Sequence, residues 1–295
     1  MIKKLKRHIF VYIQQFFNAL ENHMQFHQRA EAMRDYTLKS EERGVTDASV
    51  VDGCKVIVSL TTYGKRLYEV YLAIESLMQQ TQKVNRIILW LAEEMKDVEI
   101  PITLQRQQQR GLEIRYTKDI RSYKKLIPTL KEYPEDVIIT IDDDVIYQLD
   151  VIENLLNSYR NNPHSIIANW ALNMPKESIR KFKPYREWKT IKEEGTSMDY
   201  LPIGCAGILY PPHSLDSEVM NEQVFMEICK YGDDIWFKAM AIKNGYPCTV
   251  TPQGVHEHVY FDNPLWQDKG LTQVNINKDM NDVQTEAVFM KYKLF

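Results

Sequence analysis

Disulfide chemistry is nearly absent from this chain. Its 295 residues hold four cysteines, Cys54, Cys205, Cys229 and Cys248, with no C-x-x-C pair among them. That excludes a disulfide scaffold, and reduced thiols in a cytosolic protein are expected. The seven histidines do not complete a zinc pattern with those thiols. Charge of one sign is lacking as well: the formal net charge is −3, so bulk attraction to nucleic acid is excluded. Long apolar runs are missing too. Near the N-terminus the run Ile9–Ile13 is cut by Gln14 and Gln15. It is too short to cross a bilayer, and no small-residue cleavage site follows it.

What is present is the composition of a globular protein, 44% hydrophobic and 26% charged, which excludes wholesale disorder. A 34.8 kDa chain can bury a large core without disulfides or a structural metal. Aromatics are plentiful, with 17 Tyr, 10 Phe and 5 Trp, and suit both a packed core and stacking on flat or ring-shaped ligands. The first seven residues carry Lys3, Lys4, Lys6 and Arg7. From Ile2 through Leu5, Ile9, Ile13, Phe16 and Leu20 to Met24, apolar residues recur at three- or four-residue steps, which predicts one amphipathic helix. Such a helix either packs on the protein or a second subunit, or lies in the headgroup region of an anionic membrane through residues 1–30. Residues 31–54 read as a polar connector.

From Lys55 a strand and helix order repeats. Val56–Leu60, Arg86–Leu91, Leu112–Tyr116 and Val137–Ile141 are short apolar or alternating runs that predict strands. Between them Leu67, Val70, Tyr71, Ile74, Leu77 and Met78 share a helical face, Ile102–Arg110 reads as a helix, and so does Ser122–Tyr133. Val137–Ile141 is apolar on both faces, as a central parallel strand covered by helices must be. The series predicts a doubly wound α/β fold, a mixed and mainly parallel sheet flanked by helices. Beyond Tyr159 the pattern loosens: Ser165–Leu172 and Leu201–Tyr210 read as strands, Pro175–Gly195 as a charged segment, and Ser217–Lys230 and Asp233–Asn244 as helices. Three units are expected: 1–54, the helix and connector; 55–160; and 161–295, the last two forming one domain.

Ligands on such sheets bind outside the carboxyl ends of the strands, so the residues just past each strand carry the chemistry. The fourth strand runs straight into Asp142, Asp143 and Asp144. In extended chain Asp142 and Asp144 share a face and Asp143 points away. Three adjacent carboxylates repel one another unless a cation sits among them, and hard oxygen donors suit Mg²⁺ or Mn²⁺. The competing explanation is an Asp-rich turn that caps the next helix.

Strand-terminal Asp-x-Asp after three strand–helix units resembles the motif of GT-A (Rossmann-like) glycosyltransferases, and 55–258 resembles the family-2-like bacterial members. That resemblance implies a metal-dependent, inverting transfer from a nucleotide-diphosphate sugar, UDP-linked by preference, to a glycan or glycolipid. Bacterial surface-polysaccharide or lipopolysaccharide synthesis is the setting it implies, at the cytoplasmic face of the membrane. Residues 55–160 then form the nucleotide-sugar-binding half and 161–295 the acceptor-binding half. Carried over by position, Asp144 is the main ligand of a divalent metal, Mn²⁺ or Mg²⁺, and Asp142 contacts the ribose or a metal-bound water. The donor site then includes Asp143 and the first-strand loop Thr61, Thr62, Tyr63 and Arg66, with Tyr63 stacked on the base. Lys124 and Lys125 add positive charge near the phosphates. The small-residue run Pro202–Gly207 offers Gly204, Ala206 and Gly207 as a backbone surface for the ligand.

Tyr231-Gly-Asp-Asp-Ile-Trp236 resembles the acidic pair that precedes a helix in the inverting enzymes. It makes Asp234 the candidate base and Asp233 its partner, although this chain has Asp-Asp where the family has Glu-Asp, which leaves the division of roles open. His256 and His258 share a face if extended, and one of them is the candidate third metal ligand. The segment 175–195 is locally basic and reads either as a solvated flexible loop, the favoured reading, or, with Tyr185 and Trp188, as a grip on an anionic glycan. Two rivals stand beside this. A haloacid-dehalogenase-like phosphatase also uses Asp-x-Asp and a later Gly-Asp-Asp, but its nucleophile usually follows the first strand. A non-catalytic nucleotide- or glycan-binding scaffold would keep the fold without turnover, and the intact acidic clusters argue against it.

Overall fold

The computed structural model describes residues 2–252, 260–262, 275 and 279–295. Helix α1 spans Ile2–Lys39. The strand–helix series then runs β1 (Val56–Thr61), α2 (Tyr71–Met78), β2 (Arg86–Ala92), α3 (Ile102–Gln109), β3 (Leu112–Thr117), α4 (Ile127–Glu132) and β4 (Val137–Thr140). Next come β5 (Val145–Tyr147), α5 (Val151–Asn161), β6 (Ile166–Ala168), β7 (Ala171–Asn173), β8 (Lys176–Ser178), β9 (Lys181–Phe182), β10 (Lys189–Thr190), β11 (Gly195–Ser197), β12 (Tyr200–Pro202) and β13 (Ile208–Tyr210). The chain continues through α6 (Glu222–Ile228), α7 (Asp233–Lys243), β14 (Cys248–Val250), β15 (Tyr260–Asp262) and α8 (Met280–Tyr292).

The main sheet has eight strands in the order β11-β14-β6-β13-β4-β1-β2-β3. Strands β4, β1, β2 and β3 are mutually parallel, β13 runs antiparallel between β4 and β6, and β14 is parallel to β6. This is the expected mixed, mainly parallel Rossmann-like α/β sheet with helices on both faces. Alternation along β4 explains the two layers. Val137 and Ile139 join the core that holds Ile74 of α2 and Leu155 of α5, while Ile138 joins the core that holds Trp236, Phe237 and Met240 of α7. All four residues of β4 are buried, as its apolar composition requires.

Several boundaries differ from those the sequence suggests. The small-residue middle of Leu201–Tyr210 breaks that run: β12 joins a separate three-stranded sheet, Gly204–Ala206 forms a 3-10 turn, and β13 returns to the main sheet. Ser165–Leu172 is likewise split into β6 and β7. The expected helix Ser122–Tyr133 is a 3-10 turn over Arg121–Lys125 followed by α4, and that break is what aims Lys125. Ser217–Lys230 is a turn over Ser217–Met220 followed by α6, with the Asn221 side chain accepting the Val224 N–H at its start.

Helix α1 is longer than expected and covers part of the supposed connector. Its second half packs on the body: Phe26 and Met33 are buried with Leu72 and Ile146. Phe10, Ile13, Phe17, Leu20 and Met24 lie on the opposite face, about 170° around at 100° per residue, and are exposed. No helix among the described residues is long and apolar enough to cross a membrane. A buried ion pair fixes α1 in place. Glu75 of α2 accepts two hydrogen bonds from the Arg110 guanidinium, at 2.8 and 2.9 Å, and one from Thr37 of α1 at 2.8 Å. Burial alone would raise the Glu75 carboxyl, but these donors outweigh it and hold it below its usual value. Glu75→Ala strands the Arg110 cation, whose side chain is 3% exposed. It is expected to cost about 3–5 kcal/mol, read from urea denaturation midpoints at constant m-value.

Candidate active site

Strands β1 and β4 are neighbours whose following segments leave toward opposite sides of the sheet order, β2 and β3 on one flank and β13 and β6 on the other. The carboxyl ends of β1 and β4 therefore mark a topological switch point, where open α/β sheets leave a crevice. The Thr62 hydroxyl, just past β1, donates to Asp143 Oδ2 at 2.5 Å, and Arg66 Nη1 donates to Asp143 Oδ1 at 2.7 Å. Arg66 Nη2 also reaches Asp144 Oδ2 at 3.0 Å. One guanidinium thus spans two carboxylates. Burial raises the Asp143 carboxyl, against the opposing pull of Arg66 and Thr62.

This arrangement corrects the expected alternation. The chain bends at Asp143 and Asp144 before entering β5, so the strand period lapses. Asp143 turns inward onto Arg66 and shares that cation with Asp144, while Asp142 goes elsewhere. Asp142 Oδ1 lies 3.0 Å from Lys125 Nζ. The Asp142 backbone N–H donates to the Tyr147 hydroxyl at 3.0 Å, and that hydroxyl donates to the Cys205 carbonyl at 2.8 Å. Buried Tyr147 therefore clamps the acidic bend to the Gly204–Ala206 turn.

Lys125 is the hub of the site. Its ammonium, on a side chain 6% exposed, lies 3.0 Å from Asp142, 3.0 Å from Asp233 and 3.8 Å from Asp234. Burial opposes its charge, but Asp142, Asp233 and Asp234 outweigh burial and hold it firmly protonated. Asp233 and Asp234 open α7, yet neither side chain caps that helix. The capping explanation for this pair fails, and both carboxylates face the lysine instead. The Gly204 N–H donates to Asp234 Oδ2 at 2.9 Å, while Asp234 Oδ1 is buried without a hydrogen-bond partner among the described residues. Burial, aided by Asp233 and Asp142 and opposed by Lys125 and the Gly204 N–H, pushes the Asp234 carboxyl up to about 7. A carboxylate with one oxygen anchored by a hydrogen bond, the other without one and a near-neutral pKa suits proton transfer.

The small-residue run acts through two different constraints. A Cβ on Gly204 would come within 2.6 Å of Lys125 Nζ and 3.0 Å of Asp234 Oδ1. Gly207 adopts φ +93°, a conformation that other residues rarely take, and a Cβ there would sit 3.2 Å from Ile141. Ala206 is buried, and its carbonyl accepts from Asn169 Nδ2 at 2.9 Å.

The remaining sequence candidates scatter. The Thr61 hydroxyl donates to the Trp90 carbonyl at 2.8 Å, which ties it to the sheet. Lys124 pairs with Asp119, away from the acids that Lys125 gathers. Tyr63 is exposed, and the Arg66 guanidinium lies 5.2 Å from its ring centroid. His256 and His258 lie outside the described residues. Trp188 is buried and its indole N–H donates to the Lys183 carbonyl at 2.7 Å, so its ring is core rather than a platform for sugar. Sequence reasoning missed Tyr147 and Tyr123. The Tyr123 hydroxyl donates to the Cys229 carbonyl at 2.6 Å and steadies the loop before Asp233. Tyr147 ends the apolar run Val145–Tyr147 and reads as ordinary core, Tyr123 sits among charged residues, and no sequence signal marked either.

Among the described residues no group of three His, Cys, Asp or Glu is gathered in metal-binding geometry. Asp142 and Asp144 are the outward members of the acidic bend, with side chains 32% and 28% exposed. Mg²⁺ and Mn²⁺ keep several waters and bind through one or two carboxylates plus substrate phosphates, so this pair fits such an ion.

No protein-family model matches the chain, and no curated protein matches it. Among solved structures it is similar to a mannosyltransferase from Pyrobaculum calidifontis in complex with GDP-mannose and Mn²⁺, at 13% identity and a TM-score of 0.41. The match covers 82% of this chain and 66% of that one. A likeness so distant carries no conclusion about chemistry, which has to come from the site.

Removing the Lys125 ammonium leaves Asp142, Asp233 and Asp234 facing one another without a cation. Lys125→Met is expected to destabilise the fold by about 3–5 kcal/mol at pH 8. Asp234, raised above the unfolded carboxyl value, contributes stability that is lost as pH rises through about 7, so the variant should recover part of the deficit at pH 5. Thermal melts of both proteins at the two pH values check this.

Proposed function

We propose that this chain is an inverting glycosyltransferase that moves a sugar from a nucleotide-diphosphate donor to a hydroxyl of a glycan or glycolipid. The single observation that carries the reading is Asp234: its Oδ2 is pinned by the Gly204 N–H, its buried Oδ1 has no hydrogen bond among the described residues and lies 3.8 Å from Lys125 Nζ, and its pKa is held near 7 beside an acidic bend at the sheet's switch point. Asp234 Oδ1 accepts the proton of the acceptor hydroxyl as that oxygen attacks the anomeric carbon. The new carbon–oxygen bond forms on one face while the bond to the diphosphate breaks on the other. The bonding electrons leave with the phosphate oxygen, and the configuration at the anomeric carbon inverts.

Asp144 and Asp142 would hold the divalent metal, Mn²⁺ or Mg²⁺, which when bound neutralises the departing diphosphate as a Lewis acid. Arg66 positions Asp143 and Asp144, and Lys125 joins the donor-side acid Asp142 to the base-side pair. Exposed Tyr63, at the mouth of the same crevice, offers a ring on which a nucleobase can stack, with UDP the preferred nucleotide on resemblance. Lys124, bound to Asp119, contributes at most a distant charge. Residues 55–160 would bind the donor and 161–295 the acceptor. Synthesis of a bacterial surface glycan at the cytoplasmic membrane face is the setting that the resemblance supports. The exposed apolar stripe of α1 and its basic start support peripheral contact there.

A non-catalytic scaffold has no use for a buried carboxylate oxygen without a hydrogen bond, because leaving it so costs stability. Asp234→Asn is expected to lower transfer by about 10²–10⁴-fold while the donor still raises the melting temperature in Mn²⁺. Since Asp234 must be ionised to accept a proton, wild-type kcat/KM should rise with pH up to about 7 and level off above it, a limb that the variant lacks. Product NMR that showed retained anomeric configuration would sink the single-displacement mechanism.

A further inference from the structure

Helix α1 carries His23 and His27 one turn apart, and both are exposed. Residues four apart on a helix lie one above the other, so their side chains meet. Here the two Nε2 atoms stand 3.1 Å apart, with ring centroids at 4.3 Å and ring planes crossed at 76°. The His27 ring also meets the Phe26 ring edge to face, at 5.9 Å between centroids, and Phe26 is buried against the body of the protein. One arm of the pair is thus steadied by the core.

A hydrogen bond is a weak reason for that convergence. One neutral imidazole can donate to the other, but in water such a bond contributes only about 1 kcal/mol, and ordering two side chains offsets the gain. A shared ion is a stronger reason. Metal–nitrogen bonds of about 2.0–2.1 Å hold two nitrogens on one ion about 2.9–3.4 Å apart, from square to tetrahedral angles. The observed 3.1 Å lies inside that interval. Two histidines at i and i+4 on one helical face are also the arrangement by which a helix binds zinc. The neighbours along the helix permit the added charge. Three and four residues from either histidine stand Ala19, Leu20, Met24, Phe26, Ala30 and Glu31, one acid and no base.

We infer that His23 and His27 form a chelate site for a borderline transition-metal ion, Zn²⁺ in the first place, separate from the acidic bend and independent of the sugar-transfer reading. Imidazole nitrogen suits Zn²⁺, Ni²⁺ and Cu²⁺, whereas the carboxylates of Asp142 and Asp144 suit the harder Mg²⁺ and Mn²⁺. The two sites therefore select different ions. Each Nε2 gives its lone pair to the metal. Both rings then carry their proton on Nδ1, so the hydrogen bond between them is given up and the neutral pair loses no proton. Two protein ligands leave the remaining positions to water on the exposed side. The site stands at a junction in α1: Phe26 and Met33 fasten the second half, while Leu20 and Met24 are exposed. An ion held across His23 and His27 locks the turn that joins the two halves.

The test is isothermal titration calorimetry of the full chain with Zn²⁺, in buffer whose saturating Mg²⁺ occupies the acidic bend. The isotherm should contain a Zn²⁺ site that persists in Mg²⁺ and weakens about tenfold or more in His23→Ala and in His27→Ala, because either change undoes the chelate. Both histidines are exposed, so these variants keep the fold. His164→Ala removes another exposed histidine and should leave that site unchanged. Zn²⁺ should also slow amide hydrogen exchange across residues 19–31 of wild type and not of His27→Ala, a local effect that an ion bound elsewhere does not give. Equal Zn²⁺ binding by wild type and both variants would mean an adventitious ion only and overturns the proposal. A site displaced by Mg²⁺, one equally lost in His164→Ala, or unchanged exchange across 19–31 overturns it as well.

Discussion

One buried ammonium organises the site. Lys125 draws carboxylates from two distant parts of the chain, Asp142 after the fourth strand and Asp233 and Asp234 at the start of α7, into one cluster. Burying a lysine costs several kcal/mol unless opposite charge surrounds it, and burying those acids costs as much without the lysine. Each makes the other tolerable. Arg66 does the same for Asp143 and Asp144 across the switch point. Two cations of the chain thus face five acids, which leaves an excess of negative charge at the rim.

The topology explains why these groups meet. Parallel strands deliver their carboxyl ends to one rim, and the reversal between β1 and β4 opens the crevice there. This part was legible in the sequence, because buried parallel strands read as continuous β-branched runs and the residues after them stand out by contrast. The acids after β4 and before α7 were legible for the same reason, since each follows or opens an apolar element. Their convergence was not. Nothing in local pattern says that the end of β4 and the start of α7 share a lysine, because that contact is made by a side chain from a third element, the turn over Arg121–Lys125.

What stayed hidden has a common cause: residues whose role depends on a break in regular structure. Lys124 and Lys125 are adjacent and chemically identical, and only the 3-10 turn over Arg121–Lys125 sends one to Asp119 and the other into the acids. The strand period that would pair Asp142 with Asp144 ends at the bend, so Asp143, expected to point away, becomes the most deeply held of the three. Tyr147 looks like core by composition and is core by burial, yet its hydroxyl carries the link between the acidic bend and the Gly204 turn. In α1 the apolar pattern gave the helix but not its fastening: Ile13, Leu20 and Met24 of the stripe are exposed, and the helix is held by Phe26, Met33 and a threonine bonded to a buried ion pair.

Gly204 shows how tightly these constraints are coupled. Its N–H is the one donor that fixes Asp234 Oδ2, so the backbone must approach the carboxylate closely. The same approach brings the site of its missing Cβ to 2.6 Å from Lys125 Nζ. The lysine cannot retreat without abandoning Asp142 or Asp233, and the turn cannot retreat because Tyr147 holds the neighbouring Cys205 carbonyl. A single hydrogen atom in place of a side chain is thus what lets a backbone donor, a buried cation and a near-neutral acid occupy one small volume. The state of Asp234 follows from that geometry: Oδ2 is committed to the backbone, while buried Oδ1 stays 3.8 Å from Lys125 Nζ with no hydrogen bond among the described residues.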